Sequence, residues 1–510
     1  MKRNFIKLER SGLICFVYVS VMLGFVLTSN YVTAAEAEVI DKNISDAVED
    51  ELSIDSGVQP AQIDVFTING IVTLKGVAYN FLAKERAARI SRIVKGVRAV
   101  INEIKVVPPF LYNDSQIKEE VKDALSHDPA TESYDVGVDV KNNIVILTGT
   151  LNSWKERDLC ENIAKGVKGV MGIENRIDVV CPEKRTDSEI KNDIEETLEW
   201  DIFVDNGLIE VDVNSGNVTL KGTVGSAAEK YSATHDSYVN GVKSVDNSGL
   251  KVARWARDKE LKGNKYFAKT DVEIKEAVRD ALLYDPRVSM FDITTEVIND
   301  GNVVLRGEVD NLKAKRTAAQ DAKNTVGVIS VENRLKVRPD ANINDNKIKD
   351  EIAAAFRRDP YLLGSEISLK ITNGGVKLFG LVDTAFEKAH AEDVVTRIKG
   401  VISVDNNLIV RDFSNTFTFD PWVNDYYLYD FYWYNNLRRF PEKSDPEILK
   451  GIKNELFWSP FVDADKVDVK VKDGIATLTG KVDSWLAYNV AMQNAYKGGA
   501  IYVYNHLTVQ

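Results

Sequence analysis

Histidine and cysteine are scarce in this chain of 510 residues. The sequence contains four histidines and three cysteines, and the histidines occupy unrelated positions. It also contains no HExxH motif, no Cys-x-x-Cys pair, no phosphate-binding glycine loop and no Gly-x-Ser-x-Gly elbow. No set of side chains forms a catalytic, cofactor-binding or metal-binding constellation, so the sequence indicates a binding or scaffolding protein and not an enzyme.

Basic residues are also fewer than acidic residues. The chain has 65 Lys and Arg against 77 Asp and Glu, a formal net charge of −12. Residues 1–35 contribute four basic groups and one acidic group, so the rest of the chain carries −15. Phosphate contacts need dense Lys and Arg, which excludes wholesale binding to nucleic acid. No small-molecule substrate is indicated either.

A long apolar run occurs only at the N-terminus. Four basic residues precede an apolar stretch from about Leu13 to Leu27, and small residues follow at positions 33 to 35. This order is typical of a secretory signal peptide, which we place at residues 1–35. The apolar stretch is long for a signal, so an uncleaved inner-membrane anchor is the alternative. Both interpretations predict export.

Two cysteines, Cys160 and Cys181, remain after removal of the signal. An oxidising compartment permits a disulfide between them, provided that their Cα atoms lie within about 7 Å. Two unpaired thiols with separate packing roles are the other interpretation.

The remainder of the chain repeats itself six times, with a period of 73 residues wherever no insertion intervenes. Each copy begins with an aspartate three residues before an isoleucine, and apolar residues then recur at four-residue steps. This pattern predicts a short amphipathic helix with the aspartate as its N-cap. The six aspartates are Asp41, Asp114, Asp187, Asp271, Asp345 and Asp445.

A β-hairpin is predicted after this helix, because apolar residues alternate on both sides of a turn rich in Asn and Gly. The second strand ends in a leucine, expected in the core, and two residues later in a glycine. We expect the glycine to allow a bulge or the close approach of a helix. The six glycines are Gly76, Gly149, Gly222, Gly307, Gly380 and Gly480.

A second helix and a third strand complete each copy. A further glycine stops the second helix. An asparagine recurs six residues after that glycine, and we interpret it as a structural residue that pairs backbone groups beside the small sheet. The six asparagines are Asn102, Asn175, Asn247, Asn333, Asn406 and Asn505.

The predicted fold is therefore α+β, a tandem array of small αββαβ domains. Each domain has a three-stranded sheet with two helices on one face. After the signal peptide at 1–35, the domains span 39–107, 113–181, 186–253, 270–338, 344–411 and 444–510, with insertions at 254–269 and 412–443.

Each copy contains, in order, a capped helix, the strand motifs V-x-V and NG-x-V-T-L-x-G, a second helix and the motif GV-x-x-V-x-N-x-L-x-V. This order of motifs resembles the BON domain, named for bacterial OsmY and nodulation proteins. The resemblance covers nearly the whole mature chain. It implies the αββαβ fold, export to the periplasm of a Gram-negative bacterium, and a role in envelope integrity or osmotic stress tolerance. It also implies a phospholipid membrane surface or envelope proteins as partners, and it brings no catalytic residues and no cofactor.

Two interpretations of function remain open. One is a scaffold that binds phospholipid surfaces through several weak contacts at once. The other is a periplasmic chaperone or protein-interaction scaffold that recognises other exported proteins.

The two insertions are the candidate contact regions. The first, 254–269, is basic on an acidic body and would suit anionic lipid head groups, or it is a solvated linker. The second, 412–443, belongs to a stretch with twelve aromatic residues between positions 411 and 440, which suit a membrane boundary or fold back as an intramolecular staple. The candidate contacts are Arg254, Trp255, Arg257, Lys262, Lys265, Trp422, Tyr426, Tyr427, Tyr432 and Trp433.

The second helix of copy 1 is also basic. It is expected either to face the membrane beside an uncleaved anchor or to be an ordinary charged helix surface. Its basic residues are Lys84, Arg86, Arg89, Arg92 and Lys95.

Overall fold

A computed structural model describes residues 39–58, 62–257, 265, 269–299, 301–339, 343–411 and 443–509. Each copy contains the predicted two helices and three strands, with the third strand of copy 4 divided into two segments, so the fold class is confirmed. The first helices are α1 Asp41–Ile54, α3 Asp114–His127, α5 Asp187–Trp200, α7 Asp271–Tyr284, α9 Asp345–Arg358 and α11 Asp445–Trp458. The second helices are α2 Phe81–Arg92, α4 Trp154–Lys165, α6 Ala227–Asp236, α8 Leu312–Lys323, α10 Ala385–Thr396 and α12 Trp485–Lys497.

The strands of each copy form one sheet, in which the second strand lies in the middle. It pairs antiparallel with the first strand and parallel with the third. Copies 1 to 3 contain β1 Gln62–Ile68, β2 Ile71–Ala78, β3 Ala99–Val106, β4 Val136–Lys141, β5 Ile144–Leu151, β6 Gly172–Val179, β7 Ile209–Asn214, β8 Asn217–Val224 and β9 Ser244–Val252. Copies 4 to 6 contain β10 Ile293–Ile298, β11 Asn302–Val309, β12 Ser330–Asn333, β13 Lys336–Val337, β14 Glu366–Thr372, β15 Gly375–Val382, β16 Ser403–Val410, β17 Val467–Lys472, β18 Ile475–Val482 and β19 Tyr502–Val509.

The recurring leucine of the middle strand is the centre of each core. Its six copies are fully buried, and burial of a leucine side chain contributes roughly 1.5–3 kcal/mol. The leucines are Leu74, Leu147, Leu220, Leu305, Leu378 and Leu478.

The recurring aspartate does not cap its helix, and this prediction is wrong. In copy 2 the N-cap is Asn113, which forms a capping box with Gln116. Asp114 is the next residue, and its carboxylate accepts hydrogen bonds from the backbone amides of Asn142 and Asn143 in the hairpin turn, at 2.9 and 2.8 Å. An acidic residue suits both places because both lie at the positive end of the helix dipole. The aspartate thus ties the hairpin to the first helix.

The same tether occurs in the other copies. The carboxylates of Asp41, Asp187, Asp345 and Asp445 each accept from two consecutive turn amides, and that of Asp271 accepts from the amide of Gly301.

The glycine at the end of the middle strand meets the neighbouring strand, and not a helix. Gly76 has φ of +126°, and a Cβ there would lie 1.9 Å from the carbonyl oxygen of Gln62 at the start of β1. The register between the two strands continues through Ile63 and Gly76 without a shift, so no bulge is present either. Glycine is required because this backbone crossing leaves no room for a side chain.

The recurring asparagine has the predicted structural role. The Asn102 Nδ2 donates to the carbonyl oxygen of Lys84 at 2.9 Å, and its Oδ1 accepts from the amide of Ile104 at 3.2 Å. Asn175, Asn333, Asn406 and Asn505 repeat both contacts in their own copies. In copy 3 the strand is irregular, and Asn247 donates instead to the Thr234 hydroxyl.

The six copies associate in three pairs. In each pair, a backbone amide of one copy donates to the carbonyl of the last residue of the first helix in the other copy. The donor is the residue just before the glycine that stops the second helix. Lys95 donates to Trp458, Lys168 to Arg358 and Val326 to Trp200, at 2.9, 2.7 and 2.9 Å. The pairs are therefore copies 1 and 6, 2 and 5, and 3 and 4.

Further contacts link the pairs. Copies 1 to 3 contact one another in a closed ring. Between copies 2 and 1, the Lys165 ammonium lies 3.7 Å from the Glu85 carboxylate. Trp154 Nε1 of copy 2 donates to the Val242 carbonyl of copy 3 at 2.7 Å, and the Ala227 amide of copy 3 donates to the Val97 carbonyl of copy 1. In the other half, copy 4 contacts copy 5, and copy 5 contributes Phe386 and Ala389 to the core of copy 6.

The helices of the copies face the interior of this assembly, where residues of copies 1 to 5 line one cavity of about 530 Å³. The opposite face of each sheet, here named the outer sheet face, carries the exposed residues of every strand.

Cys160 is buried, Cys181 is partly exposed, and both are free thiols, so the disulfide interpretation is wrong. No helix in the described ranges is long and apolar enough to cross a membrane.

Candidate binding surfaces and the central cavity

Lys265 was predicted to contact lipid, and this prediction is wrong because the residue is buried. Its Nζ donates to the carbonyl oxygens of Leu198 and Asp201, at 2.8 and 2.6 Å, and to that of Val204. These carbonyls lie at and just beyond the C-terminus of α5. A cation there donates to carbonyl groups that have no donor within the helix, and it interacts favourably with the negative end of the helix dipole. Burial lowers the pKa of the Lys265 ammonium to about 8. This part of the basic insertion therefore closes a helix of copy 3.

The start of the same insertion is exposed. Arg254 and Trp255 lie in a short 3₁₀ helix after β9, and the Trp255 side chain is 55% exposed. They remain candidate contacts. The other candidate contacts lie outside the part of the chain that the structure describes. They are the Arg257 side chain, Lys262, Trp422, Tyr426, Tyr427, Tyr432 and Trp433.

The basic second helix of copy 1 faces other copies and not a membrane. Arg86 forms a buried ion pair with Asp55 at 2.8 Å. The Arg92 guanidinium lies 4.6 Å from the ring centre of Tyr231 in copy 3, and the Lys95 ammonium, just past the helix, lies 4.0 Å from that of Phe457 in copy 6. The sequence pattern was basic because the helix lies at an interface where cations contact carboxylates and aromatic rings.

The outer sheet faces of copies 2 to 5 are charged. Cross-strand and same-strand ion pairs cover them, and their side chains are about half exposed. The pairs are Glu174 with Arg176, Asp212 with Lys221, Glu296 with Arg306 and Asp405 with Lys377.

The outer sheet face of copy 1 has one exposed ion pair, between Lys75 and Glu103 at 3.3 Å, but it also carries an apolar cluster. Phe66, Ile68, Ile71 and Ile101 are 53%, 71%, 39% and 48% exposed. The strand registers place Phe66 and Ile101 on either side of Thr73, and Ile68 directly opposite Ile71. These four residues form one contiguous surface, which we name the apolar face.

An apolar pair at the positions of Phe66 and Ile101 occurs only in copy 1, although copy 5 exposes Phe379 and Ile409 elsewhere on its outer sheet face, at 41% and 63%. The position of Phe66 is charged in every other copy, as Asp139, Asp212, Glu296, Lys370 and Lys470. The position of Ile101 is Glu174, Asp246, Glu332 and Asp405 in copies 2 to 5 and Tyr504 in copy 6. Sequence reasoning missed this surface, although the segment Phe66 to Leu74 breaks the usual alternation by being apolar on both faces.

Copy 6 carries aromatic rings on its outer sheet face. Tyr502, Tyr504 and His506 follow one another along the edge strand β19, with ring centres 4.9 and 6.2 Å apart. Tyr504 is 49% exposed. Copies 1 and 6 are partners in one pair, so the apolar face and this row of aromatic rings belong to the same pair.

The central cavity lies on the helix side and is lined by charged residues. Several of them form ion pairs across copies, as Arg287 of copy 4 with Asp128 of copy 2 at 3.1 Å, and Lys313 of copy 4 with Asp393 of copy 5 at 2.6 Å. In the described part of the chain, no three side chains of His, Cys, Asp or Glu come close enough together to hold a metal ion.

The sequence matches a known family in every copy. The BON domain family matches residues 40–108, 113–181, 186–254, 270–339, 344–412 and 444–510. These six matches cover most of the chain, and the resemblance inferred from the repeat is thereby confirmed.

Among curated proteins, the chain is similar to osmotically-inducible protein Y of Escherichia coli, with 30% identity over 142 residues that make up 26% of this chain and 71% of the relative. Outer membrane lipoprotein DolP of Haemophilus influenzae is 27% identical, over 27% of this chain and 72% of the relative. The 21 kDa hemolysin of Actinobacillus pleuropneumoniae is 30% identical, over 27% and 73%. Each match spans about two copies of the repeat. The chain belongs to the BON domain family.

Proposed function

We propose that this protein is a non-catalytic scaffold of the bacterial envelope that binds phospholipid surfaces through the apolar face of copy 1. The observation that carries the proposal is the contrast between that face and the equivalent charged positions of the sister copies. An exposed apolar cluster costs solubility, so its presence in one copy out of six favours a binding role.

The chemistry of the face fits a membrane surface. Its apolar side chains would enter the boundary between head groups and acyl chains, while exposed basic groups near its rim would lie at the level of the phosphates. Lys75 lies 6.0 Å from the ring centre of Phe66 and forms an exposed ion pair with Glu103 at 3.3 Å, and Arg98 and Lys105 are exposed on neighbouring positions of the same copy. Arg254 and Trp255 are exposed as a second contact of the same chemistry.

The relatives support an envelope location. One relative is named an outer membrane lipoprotein and another is named for induction by osmotic stress. We extend these properties to this chain as a periplasmic location and a role in osmotic stress tolerance or envelope integrity.

Flotation of the full-length mature protein with liposomes tests the proposal. Replacement of Phe66 by Asp together with Ile101 by Glu gives copy 1 the residues that its sister copies carry, so the fold should tolerate the change. We expect this double variant to lose most of its binding to both anionic and neutral vesicles. Retained binding would contradict the proposal.

A reciprocal variant is the matched control. Asp139→Phe with Glu174→Ile builds the same apolar pair on copy 2, where both residues are exposed. We expect this variant to float at least as well as the unaltered protein. A separate Arg254→Gln variant should weaken only the salt-sensitive binding to anionic vesicles, because charge attraction is screened over about 8 Å at physiological ionic strength.

A protein-interaction scaffold or chaperone is the second candidate function. The aromatic edge of copy 6 favours it, since tyrosine is enriched in protein interfaces and an edge strand offers free backbone groups. If the protein fails to float with any vesicle but protects an unfolded exported protein from aggregation, and Tyr504→Ser removes this protection, the second function is supported and the first is rejected.

A further inference from the structure

The residue that directly follows the first helix has different partners in different copies. In five copies an aspartate follows this helix directly: Asp55, Asp128, Asp201, Asp285 and Asp359. Three of them have a cationic partner. Asp55 pairs with Arg86, Asp128 with Arg287 and Asp359 with His390, at 2.8, 3.1 and 2.7 Å.

Asp201 and Asp285 lack such a partner. Each accepts one backbone hydrogen bond, from the amide of Phe203 at 2.6 Å and of Arg287 at 2.7 Å respectively. Over the ranges that the structure describes, no ion pair reaches either carboxylate. The charge of each acts instead on a second aspartate, Asp236 or Asp321, on the second helix of its own copy.

The second aspartates occupy a position that is otherwise uncharged. Asp236 and Asp321 stand ten residues after the N-caps of their helices. The equivalent residues of the other copies are Ile90, Ile163, Val394 and Asn494, all buried. The aspartates thus occur only in copies 3 and 4, which are partners in one pair.

Hydrogen-bond donors of the described residues do not reach every oxygen of these side chains. The Oδ2 atoms of Asp236 and Asp321 are buried and have no donor. Burial, together with the neighbouring Asp201 or Asp285, raises the pKa of Asp236 and Asp321 well above that of an ordinary aspartate, and Asp236 shares a hydrogen bond with Asp201 when one of the two is protonated. A buried acceptor without a donor is destabilising, so such a pair persists where another interaction offsets the cost.

All four aspartates line the central cavity, which has the size of a small-ligand site. One lysine of copy 2, Lys155, also lines the cavity and interacts electrostatically with both Asp236 and Asp321. The two carboxylate pairs therefore face one shared space. Seven further Lys and Arg side chains line the cavity, and five of them are already in ion pairs: Arg86, Lys165, Arg287, Lys313 and Arg397. The other two are Arg89 and Arg358. The ammonium of Lys265, which also acts on Asp236, donates to three carbonyl groups.

We propose that the central cavity binds a small organic polycation, with one ammonium group on the Asp201 and Asp236 pair and another on the Asp285 and Asp321 pair. An ammonium group has three donors and no acceptor, which matches two facing carboxylates. A single metal ion matches less well, because hard cations take six or more oxygen ligands from one place, and here the carboxylates stand in two pairs. A linear polyamine has the required chemistry.

Calorimetric titration of the full-length mature protein with spermidine tests this site, with putrescine as a shorter probe and Mg²⁺ at equal ionic strength as a control for screening. We expect saturable binding of one spermidine per chain. Asp236→Asn with Asp321→Asn keeps the shape of both side chains and should weaken binding by about tenfold or more, since it removes charge-assisted hydrogen bonds. The matched control, Asp139→Asn with Asp405→Asn on the outer sheet faces, removes the same charge and should leave binding unchanged.

A second variant keeps the test informative if the Asn double variant does not fold. Lys155 is exposed in the cavity, and Lys155→Gln removes the ammonium that competes with the ligand, so spermidine should bind several-fold more tightly. The proposal is overturned if no saturable heat appears, if Mg²⁺ reproduces the effect of spermidine, or if the Asn double variant and its control bind equally.

Discussion

Ion pairs occur on both sides of the copies, and the two sides use them differently. On the helix side, Lys497 of copy 6 lies 2.6 Å from Glu51 of copy 1 and 3.0 Å from Glu455, and its side chain is 6% exposed. On the outer sheet face of copy 2, Arg176 and Glu174 are 57% and 51% exposed. A buried charge requires its partner, whereas an exposed charge is solvated without one. Helix-side pairs therefore determine which copies associate, and outer pairs keep the surface polar.

Breaking the buried contact between copies 1 and 6 should give the largest effect. Lys497→Ala leaves Glu51 and Glu455 without their cation in a buried place, which should lower the free energy of unfolding by about 3–5 kcal/mol. Chemical denaturation followed by tryptophan fluorescence measures the change. A loss below about 1 kcal/mol would show that this pair is no more important than a surface pair.

The pairing of His390 with Asp359 should make stability depend on pH. Burial alone would lower the pKa of His390, but the charge and the hydrogen bond of Asp359 outweigh it and raise the pKa above its ordinary value. The stabilisation is therefore complete below the pKa of an unfolded histidine, about 6.5, and is lost as the pH rises through the raised value.

We expect His390→Ala to cost roughly 1.5–3 kcal/mol at pH 6. The difference in melting temperature between this variant and the unaltered protein should shrink as the pH increases above neutrality. Other titrating groups contribute equally to both proteins and cancel in the difference. A difference that does not change between pH 6 and 9 would contradict the assigned charge of His390.

Removal of a hairpin tether should have a smaller effect. Asp114→Ala leaves two turn amides of copy 2 without their acceptor and should cost about 1–2 kcal/mol. Asn113→Ala, which removes the true N-cap, should cost about 1 kcal/mol and is the companion measurement. Protection of the Asn142 and Asn143 amides from hydrogen exchange distinguishes the two, because only Asp114→Ala should reduce it.

The smallest change is expected on the outer sheet faces. Arg176→Ala breaks the exposed contact with Glu174 and should change the free energy of unfolding by less than about 1 kcal/mol. The same denaturation experiment as for Lys497 measures it. A loss comparable to that of Lys497→Ala would remove the distinction between the two sides.

The fold of each copy was predictable because its signals are local and repeated six times. The leucine and glycine that end the middle strand identify the hairpin, and the asparagine of the third strand was interpreted correctly. The role of Asp114 was not, because an N-cap and the residue after it are both favourable for an acid, and only the turn geometry shows which groups the carboxylate accepts from.

The association of the copies was not predictable, because its contacts join residues that are distant in sequence, and the contact that recurs in all three pairs is between backbone groups and requires no particular side chain. Glu51 and Lys497 are 446 positions apart. Lys265 is one of six basic residues in its insertion, and no sequence signal marks it as buried. The apolar face and the aspartates of the cavity did leave a trace, as departures of single copies from the residue that the other copies share.

The pairs of copies are nested along the chain, 3 with 4 inside 2 with 5 inside 1 with 6, and this nesting favours an order of pairing as the exported chain emerges from the membrane. Copies 3 and 4 are consecutive and can meet as soon as copy 4 has folded, since domains fold as units from the N-terminus and short loops close at the lowest entropic cost. Copy 1 emerges first and can contact copies 2 and 3, but its own pair forms only when the last copy arrives. A chain that stops before copy 6 leaves the amide of Lys95 and the carboxylate of Glu51 facing water, so premature termination or proteolysis near the C-terminus exposes the partner surface of copy 1.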